Sequence, residues 1–284
     1  LLKNNAKIPV VAASALGEGI MVDIQQAKAV PGTAVVQFID NITLEKNSYY
    51  LNFDVNSVSD EFNAASVGQP WEWIRKNPQA VSLSKVAGSL TLTSEAGDVS
   101  EGTNNARNLL LQSANNDWTI ETKLFSSRIP SQPENAGILA YQDDQNFVKL
   151  MYRAVIKTSR GGAPGSRMQP GTIDLIMEEN DITKSVGSFN LTNEITGEHP
   201  LFLRLEKKGS LYTASYSLDG ATFEKLGTAD LLLKDIRAGL IVCDGVVTQN
   251  MKSTFWFDSD TTKPPTPWDV SFDYFRMVNS GLKP

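Results

Sequence analysis

The chain has 284 residues, of which 41% are hydrophobic and 20% charged, with a net charge of −6, one cysteine and one histidine. That acidity argues against a nucleic-acid binder, because phosphate backbones are held by lysine and arginine surfaces. A single cysteine excludes an intrachain disulfide, a single histidine excludes a histidine-rich zinc centre, and no apolar run reaches the roughly 20 residues of a membrane-spanning helix.

In chain order, Ile8–Ala13, Ile20–Ile24, Ala34–Ile39 and Tyr49–Val55 read as strands, while helical periodicity is nearly absent. The opening Leu1-Leu2-Lys3-Asn4-Asn5 lacks the three-part pattern of a signal peptide, so the sequence is read as a mature or trimmed chain. A seam falls near Asn56–Asp60. Residues 1–58 hold too few strands for a comfortable core of their own and are expected to form a small N-terminal β segment or truncated β module. Residues 59–284 are expected to form the main domain.

Strand patterns continue at Gly88–Thr93, Asn108–Gln112, Trp118–Phe125, Gly137–Tyr141, Val148–Tyr152 and Thr172–Met177. Leu201–Glu206 and Leu211–Leu218 alternate apolar and polar residues on either side of Gly209-Ser210, and Asp219-Gly220 makes a second tight turn. Gly239–Cys243 and Val270–Met277 complete the series, with Cys243 expected to be a buried core thiol. Short spacing between strands and the lack of a repeat point to an antiparallel two-sheet sandwich rather than βαβ units or a propeller. Two loops stand out: Ser159–Arg167, with two arginines, and Asp258–Pro267.

An ordered series of segments then carries a resemblance. It runs through Asp60-Glu61-Phe62-Asn63, Trp71-Glu72-Trp73-Ile74-Arg75, Gly88-Ser89-Leu90, Asn108-Leu109-Leu110 and Trp118-Thr119-Ile120-Glu121. Ala136-Gly137-Ile138-Leu139-Ala140-Tyr141-Gln142-Asp143-Asp144, the hairpins at 201–220 and Phe272-Asp273-Tyr274-Phe275-Arg276 continue it. From Asp60 onward the chain resembles the concanavalin A-like domain at the C-terminus of family 43 glycoside hydrolases, the β-xylosidases and arabinofuranosidases. The resemblance implies an all-β, antiparallel two-sheet jelly roll. In that family the domain accompanies a five-bladed catalytic propeller, for which this chain has neither the length nor a repeat. The implied role is a non-catalytic, carbohydrate-binding accessory module of polysaccharide degradation in a secreted, periplasmic or cell-surface bacterial protein, acting as a monomer on a plant-type oligo- or polysaccharide. The alternatives are a glycoside hydrolase acting in a concave cleft and a structural module that holds a partner protein.

Sugar recognition needs aromatic faces for C–H surfaces and planar polar groups for hydroxyls. Trp71, Trp73 and Arg75 share one face of an extended segment if the period of two holds throughout. Tyr141, Gln142 and Asp143 border a hairpin; Tyr152 and Arg153 end its second strand; Trp256 flanks the Asp/Pro-rich insertion. These nine residues are the expected ligand contacts. For a hydrolase, two carboxylates would have to face each other across a cleft, and Glu121, Glu178 and Glu179 cannot be placed so by spacing. Sandwiches of this class often carry a structural Ca²⁺ near their joined first and last strands, and Asp60 and Asp273 are the candidate oxygen ligands.

Overall fold

The computed structural model describes residues 8–28, 32–53, 59–100, 103–130, 134–157, 167–244 and 267–279. The chain divides into two compact units, Leu1–Ser57 and Val58–Pro284. In the first, β1 (Ile20–Gln25), β2 (Gly32–Asp40) and β3 (Lys46–Phe53) form an antiparallel meander in that order. Asp40 makes the turn after β2: its Oδ1 accepts the backbone N–H groups of Ile42 and Thr43 at 2.7 and 2.9 Å, and Leu44 takes a left-handed φ of 61°. Ile8–Ala13, read as a strand from its composition, has no ladder partner among the described residues. Its Val11 exchanges N–H and C=O hydrogen bonds with the side-chain amide of Gln26 instead.

The second unit begins with β4 (Glu72–Ile74), β5 (Val81–Ser82), β6 (Leu90–Thr93), β7 (Val99–Ser100) and β8 (Thr103–Asn104). Next come β9 (Leu109–Ser113), β10 (Trp118–Ser126), β11 (Asn135–Asp143), β12 (Asn146–Lys157) and β13 (Arg167–Glu179). The last six are β14 (Ile182–Asn190), β15 (Leu201–Lys208), β16 (Leu211–Ser217), β17 (Glu224–Asp230), β18 (Arg237–Cys243) and β19 (Asp269–Asn279). Among the described residues they build two seven-stranded antiparallel sheets. The first has the order β17-β16-β15-β10-β19-β6-β5, the second β14-β13-β12-β11-β18-β9-β4, and β7 and β8 pair separately. The expected all-β concanavalin A-like sandwich is what the chain forms.

Alternation explains the core. On β10, Trp118, Ile120 and Leu124 point inward, and on β15 Leu201, Leu203 and Leu205 do the same. They meet Ala136, Ile138 and Ala140 of β11, Val148, Leu150 and Tyr152 of β12, and Ile173 and Leu175 of β13. Burying such side chains stabilises a fold by about 1.5–3 kcal/mol each. A bulge on β19, where its register on β10 shifts between Lys123 and Leu124, moves the inward set from Val270 and Phe272 to Phe275 and Met277. Trp118 anchors one end of the core by donating Nε1–H to the Ala114 carbonyl at 2.9 Å. Trp268 lies 5.5 Å from the Tyr152 ring and donates to the Arg128 carbonyl at 3.0 Å.

Strand β11 is buried on both faces, unlike a strand with one solvated side. Its inward residues pack on the first sheet. Its outward Leu139 and Tyr141 join Phe147, Met151, Ile241 and Leu111 beneath Val99 and Ala106, forming an outer hydrophobic cluster. The connection between β6 and β9 therefore covers part of the second sheet.

Candidate functional site

Strand register sets transverse rows of side chains on the outward face of the second sheet. The first row runs Cys243, Asn135, Arg153, Thr172, Asn190 across β18, β11, β12, β13 and β14. The second runs Ile241, Gly137, Met151, Asp174, Ser188. Gly137 cannot carry a side chain, since a Cβ there would stand 2.2 Å from the Leu150 carbonyl oxygen. Lys149 lies one row further on, under the covering connection. Arg153, Ser188 and Asn190 are exposed, so the first two rows open to solvent at the β12–β14 side.

Charge in this face is locally balanced. Lys149 and Asp98 are a buried ion pair at 3.0 Å, with side-chain exposures of 2% and 7%. The ammonium also donates to the Val99 carbonyl at 3.3 Å and stands 5.3 Å from the Phe147 ring, so its charge is met on several sides. Asp98 Oδ1 further accepts the Val99 N–H at 2.8 Å. This pair ties the covering connection to the sheet.

Asp174 organises the open part. It is buried, and its carboxylate accepts from Arg153 Nε at 2.6 Å, Thr172 Oγ1 at 2.9 Å and Ser188 Oγ at 2.6 Å. Three donors on two oxygens fix the Arg153 guanidinium plane, and its terminal amino groups make no other hydrogen bond among the described residues. Across the ladder, Asn135 is 4% exposed; its Nδ2 is 4.0 Å from Cys243 Sγ, and its buried Oδ1 has no hydrogen-bond partner among the described residues. A donor array and an unmet acceptor thus stand on one row.

The other expected residues are dispersed. Trp71 is in the core, its ring 4.9 Å from Phe275 and its Nε1 donating to Asp60 Oδ2 at 2.9 Å. Trp73 pairs with Leu110 and faces the same core, with Lys76 5.1 Å from its ring. Arg75 leaves this line because β4 ends at Ile74 and Arg75 adopts a left-handed φ of 51°. Its guanidinium then makes a two-pronged pair with Asp144 at 2.7 and 2.8 Å, which raises its pKa, while Nε donates to the Ala106 carbonyl. Tyr141 donates to the same Asp144 at 2.9 Å; burial, then this carboxylate, pushes the phenol pKa up.

Gln142 and Asp143 serve the hairpin. Gln142 Oε1 accepts the Lys234 N–H, and its Nε2 donates to Asp143. Burial pushes Asp143 up, but hydrogen bonds from Asn146, Gln142 and the Gln145 N–H outweigh it and hold the carboxyl low. Tyr152 points between the sheets and donates to Glu194 Oε2 at 2.8 Å; burial raises both groups. Arg153, on the opposite face, is the expected contact that reaches the open row. Trp256 lies outside the described residues.

Asp60 and Asp273 have other duties. Asp60 accepts from the Phe62 N–H and from Trp71, while Asp273 pairs with Lys123 at 3.0 Å on the outward side of the β19 bulge. Among the described residues no group of three or more His, Cys, Asp or Glu gathers to hold a metal. Asn135, Thr172, Asp174 and Ser188 were not expected; each lies in or beside a legible strand, but only register shows that they share a face.

Residues 59–239 match the family model for the beta-xylosidase C-terminal concanavalin A-like domain. No curated protein matches the sequence. Among solved structures, the GH43 protein BlXynB of Bacillus licheniformis superposes with a TM-score of 0.60 at 14% identity, covering 96% of this chain and 56% of that one. A xylan beta-1,4-xylosidase of Bacillus halodurans C-125 gives 0.57 at 14%, covering 95% and 56%. The Bacteroides ovatus protein described as xyloglucan PUL GH43B gives 0.57 at 18%, covering 91% and 53%. These identities establish likeness of fold. The chain spans only about half the length of each of these proteins.

Proposed function

The chain belongs to the beta-xylosidase C-terminal concanavalin A-like domain family, and we propose from that membership that it is a non-catalytic carbohydrate-binding module of polysaccharide breakdown. The observation that carries this reading is the exposed Arg153 on the row Asn135–Arg153–Thr172, its guanidinium held by Asp174, which Ser188 also supports. A sugar hydroxyl accepts as well as donates, and the exposed Arg153 offers it fixed N–H donors. Side chains locked by a second set of hydrogen bonds lose little freedom when a ligand arrives, which favours affinity. Asp174 supplies that lock.

Its partner is a plant-type oligo- or polysaccharide, and its setting a secreted or surface-exposed bacterial protein. The family's link to β-xylosidases and the likeness to a xylan beta-1,4-xylosidase support a carbohydrate ligand. On this face Asp174 is engaged by three donors, Asp98 by Lys149, and Asp144 by Arg75 and Tyr141. Such a set suits a rigid binding frame better than an acid–base pair.

The test is affinity electrophoresis of the whole chain in gels containing xylan, arabinan, xyloglucan or fructan, beside a reducing-sugar assay on the same glycans. Retardation by at least one glycan without sugar release is expected, reduced in Arg153→Ala. Release of reducing ends would replace the binding module by a hydrolase, and no retardation in any gel would overturn the reading.

A further inference from the structure

We infer that the N-terminal unit self-associates by strand addition, the apolar segment Ile8–Ala13 of one copy pairing with the β3 edge of another. Two observations meet here: a strand-like sequence without a ladder, and a ladder edge without a strand. β3 is an end strand of the meander and, among the described residues, is laddered to β2 alone, in unbroken register from Lys46 to Phe53. Tyr49, Tyr50 and Leu51 in its middle are 58, 69 and 37% exposed. Alternation puts Tyr49 and Leu51 on one face, opposite Val36 and Ala34 of β2, and Tyr50 on the other. End strands are normally defended by a proline, a bulge or a charge in their middle. β3 has none of these, since Lys46 is its only charge and stands at its end. The other end strand of the meander, β1, carries Asp23. In the sandwich, β14 and β17 close on each other, so that a Cβ on Gly187 would stand 2.5 Å from the Leu226 carbonyl oxygen.

Ile8–Ala13 supplies what that edge lacks. Its sequence, Ile-Pro-Val-Val-Ala-Ala, is uncharged and rich in β-branched residues, so no like charge meets Lys46. Ile8 and Val10 are 42 and 85% exposed. Among the described residues its hydrogen bonds are the two exposed ones between Val11 and the Gln26 side-chain amide, a weak tether. Laid out as a strand, the segment presents the N–H and C=O of Val10 and Ala12 to the side opposite Val11. Pro9, which has no N–H, shares the Val11 side, so the Val10 side has every donor a ladder needs. Added to β3, the segment gives that edge main-chain partners and lays apolar side chains beside Tyr49–Leu51, the β-augmentation mode of recognition. Pro9 then stands on the outer side of the new strand and makes it a poor template for another.

Sedimentation velocity of the full chain across micromolar concentrations is the test. The sedimenting species is expected to grow from one chain toward a larger assembly as concentration rises. Val10→Lys and Tyr50→Lys, both at exposed positions, should each weaken association by about tenfold or more, as a charge on a pairing edge does. Leu232→Lys, 73% exposed in the second unit, should leave it unchanged. Mixing the two weakened variants joins the intact segment of Tyr50→Lys to the intact edge of Val10→Lys, and association should return. A peptide of residues 8–13 in excess should dissociate the parent chain, a readout that holds even where a variant fails to fold. A chain that stays single at every concentration, as the expected monomer or a segment folded back onto its own β3 would, overturns the inference. So do association that both lysines and the peptide leave unmoved, and mixed variants that stay single.

Discussion

Replacing Lys149 by methionine probes the device that holds the covering connection on the second sheet. The ammonium and Asp98 are 3.0 Å apart, with side-chain exposures of 2% and 7%, so the solvent screening that weakens surface pairs is largely absent. Lys149→Met preserves most of the volume but leaves the Asp98 carboxylate buried with only weaker donors. Breaking one side of a buried pair costs about 3–5 kcal/mol, roughly 6–20 °C in melting temperature for a domain of this size. Adding Asp98→Asn removes the stranded charge and keeps an oxygen for the Val99 N–H. The double variant is expected to recover at least half of the loss, a coupling of about 1.5–3 kcal/mol. Urea unfolding followed by tryptophan fluorescence measures all four corners of the cycle. A single-variant loss below about 1 kcal/mol, the range of an exposed pair, would refute the argument that the connection is clamped by a dry ion pair.

Trp71→Ala is expected to cost about 3–5 kcal/mol, the usual range for deleting a buried Trp. Glycan affinity of the folded protein should stay within twofold, because Trp71 packs on Phe275 and not on the open row; denaturation and titration on the same samples check both parts. Glu194 has a carboxyl raised by burial. A raised folded-state value makes its favourable contribution complete below the usual 4.5 and lost as pH climbs through the raised value. Glu194→Gln, which keeps an acceptor for the Tyr152 hydroxyl, should therefore raise the melting temperature at pH 7–8 and converge with the parent near pH 4. Asp219 behaves oppositely. The Thr222 and Ala221 N–H groups hold it at about 2, so its contribution is complete above the usual 3.8 and lost as pH falls toward 2. Asp219→Asn should narrow the pH dependence of stability across that acid window.

The sandwich was legible because its central strands alternate strictly, and Leu201–Glu206 could hardly be anything else. Edge strands were less visible. Ile182–Asn190 has half-exposed or exposed residues on both faces and so lacks a periodic signal; Glu224–Asp230 is similarly polar. Ile8–Ala13 has strand composition but, among the described residues, no neighbour to pair with, and composition cannot supply one. In the site, period two places Trp71 and Trp73 but fails at Arg75, where a left-handed residue redirects the chain. Tyr152 and Arg153 were grouped as neighbours in sequence, yet alternation sends one into the core and the other outward. The grouping of Asn135, Arg153 and Asp174 depends on the register of three strands, and only the assembled sheet displays it.

The central claim, that the β11–β13 outward face holds a carbohydrate, is tested most directly by hydrogen–deuterium exchange of the whole chain with and without a neutral oligosaccharide that it binds. Slower exchange confined to peptides spanning Asn135, Arg153 and Asp174, and abolished by Arg153→Gln, is the predicted result. Protection confined to the outward face of the first sheet, around Glu121, Arg204 and Tyr274, would contradict the account.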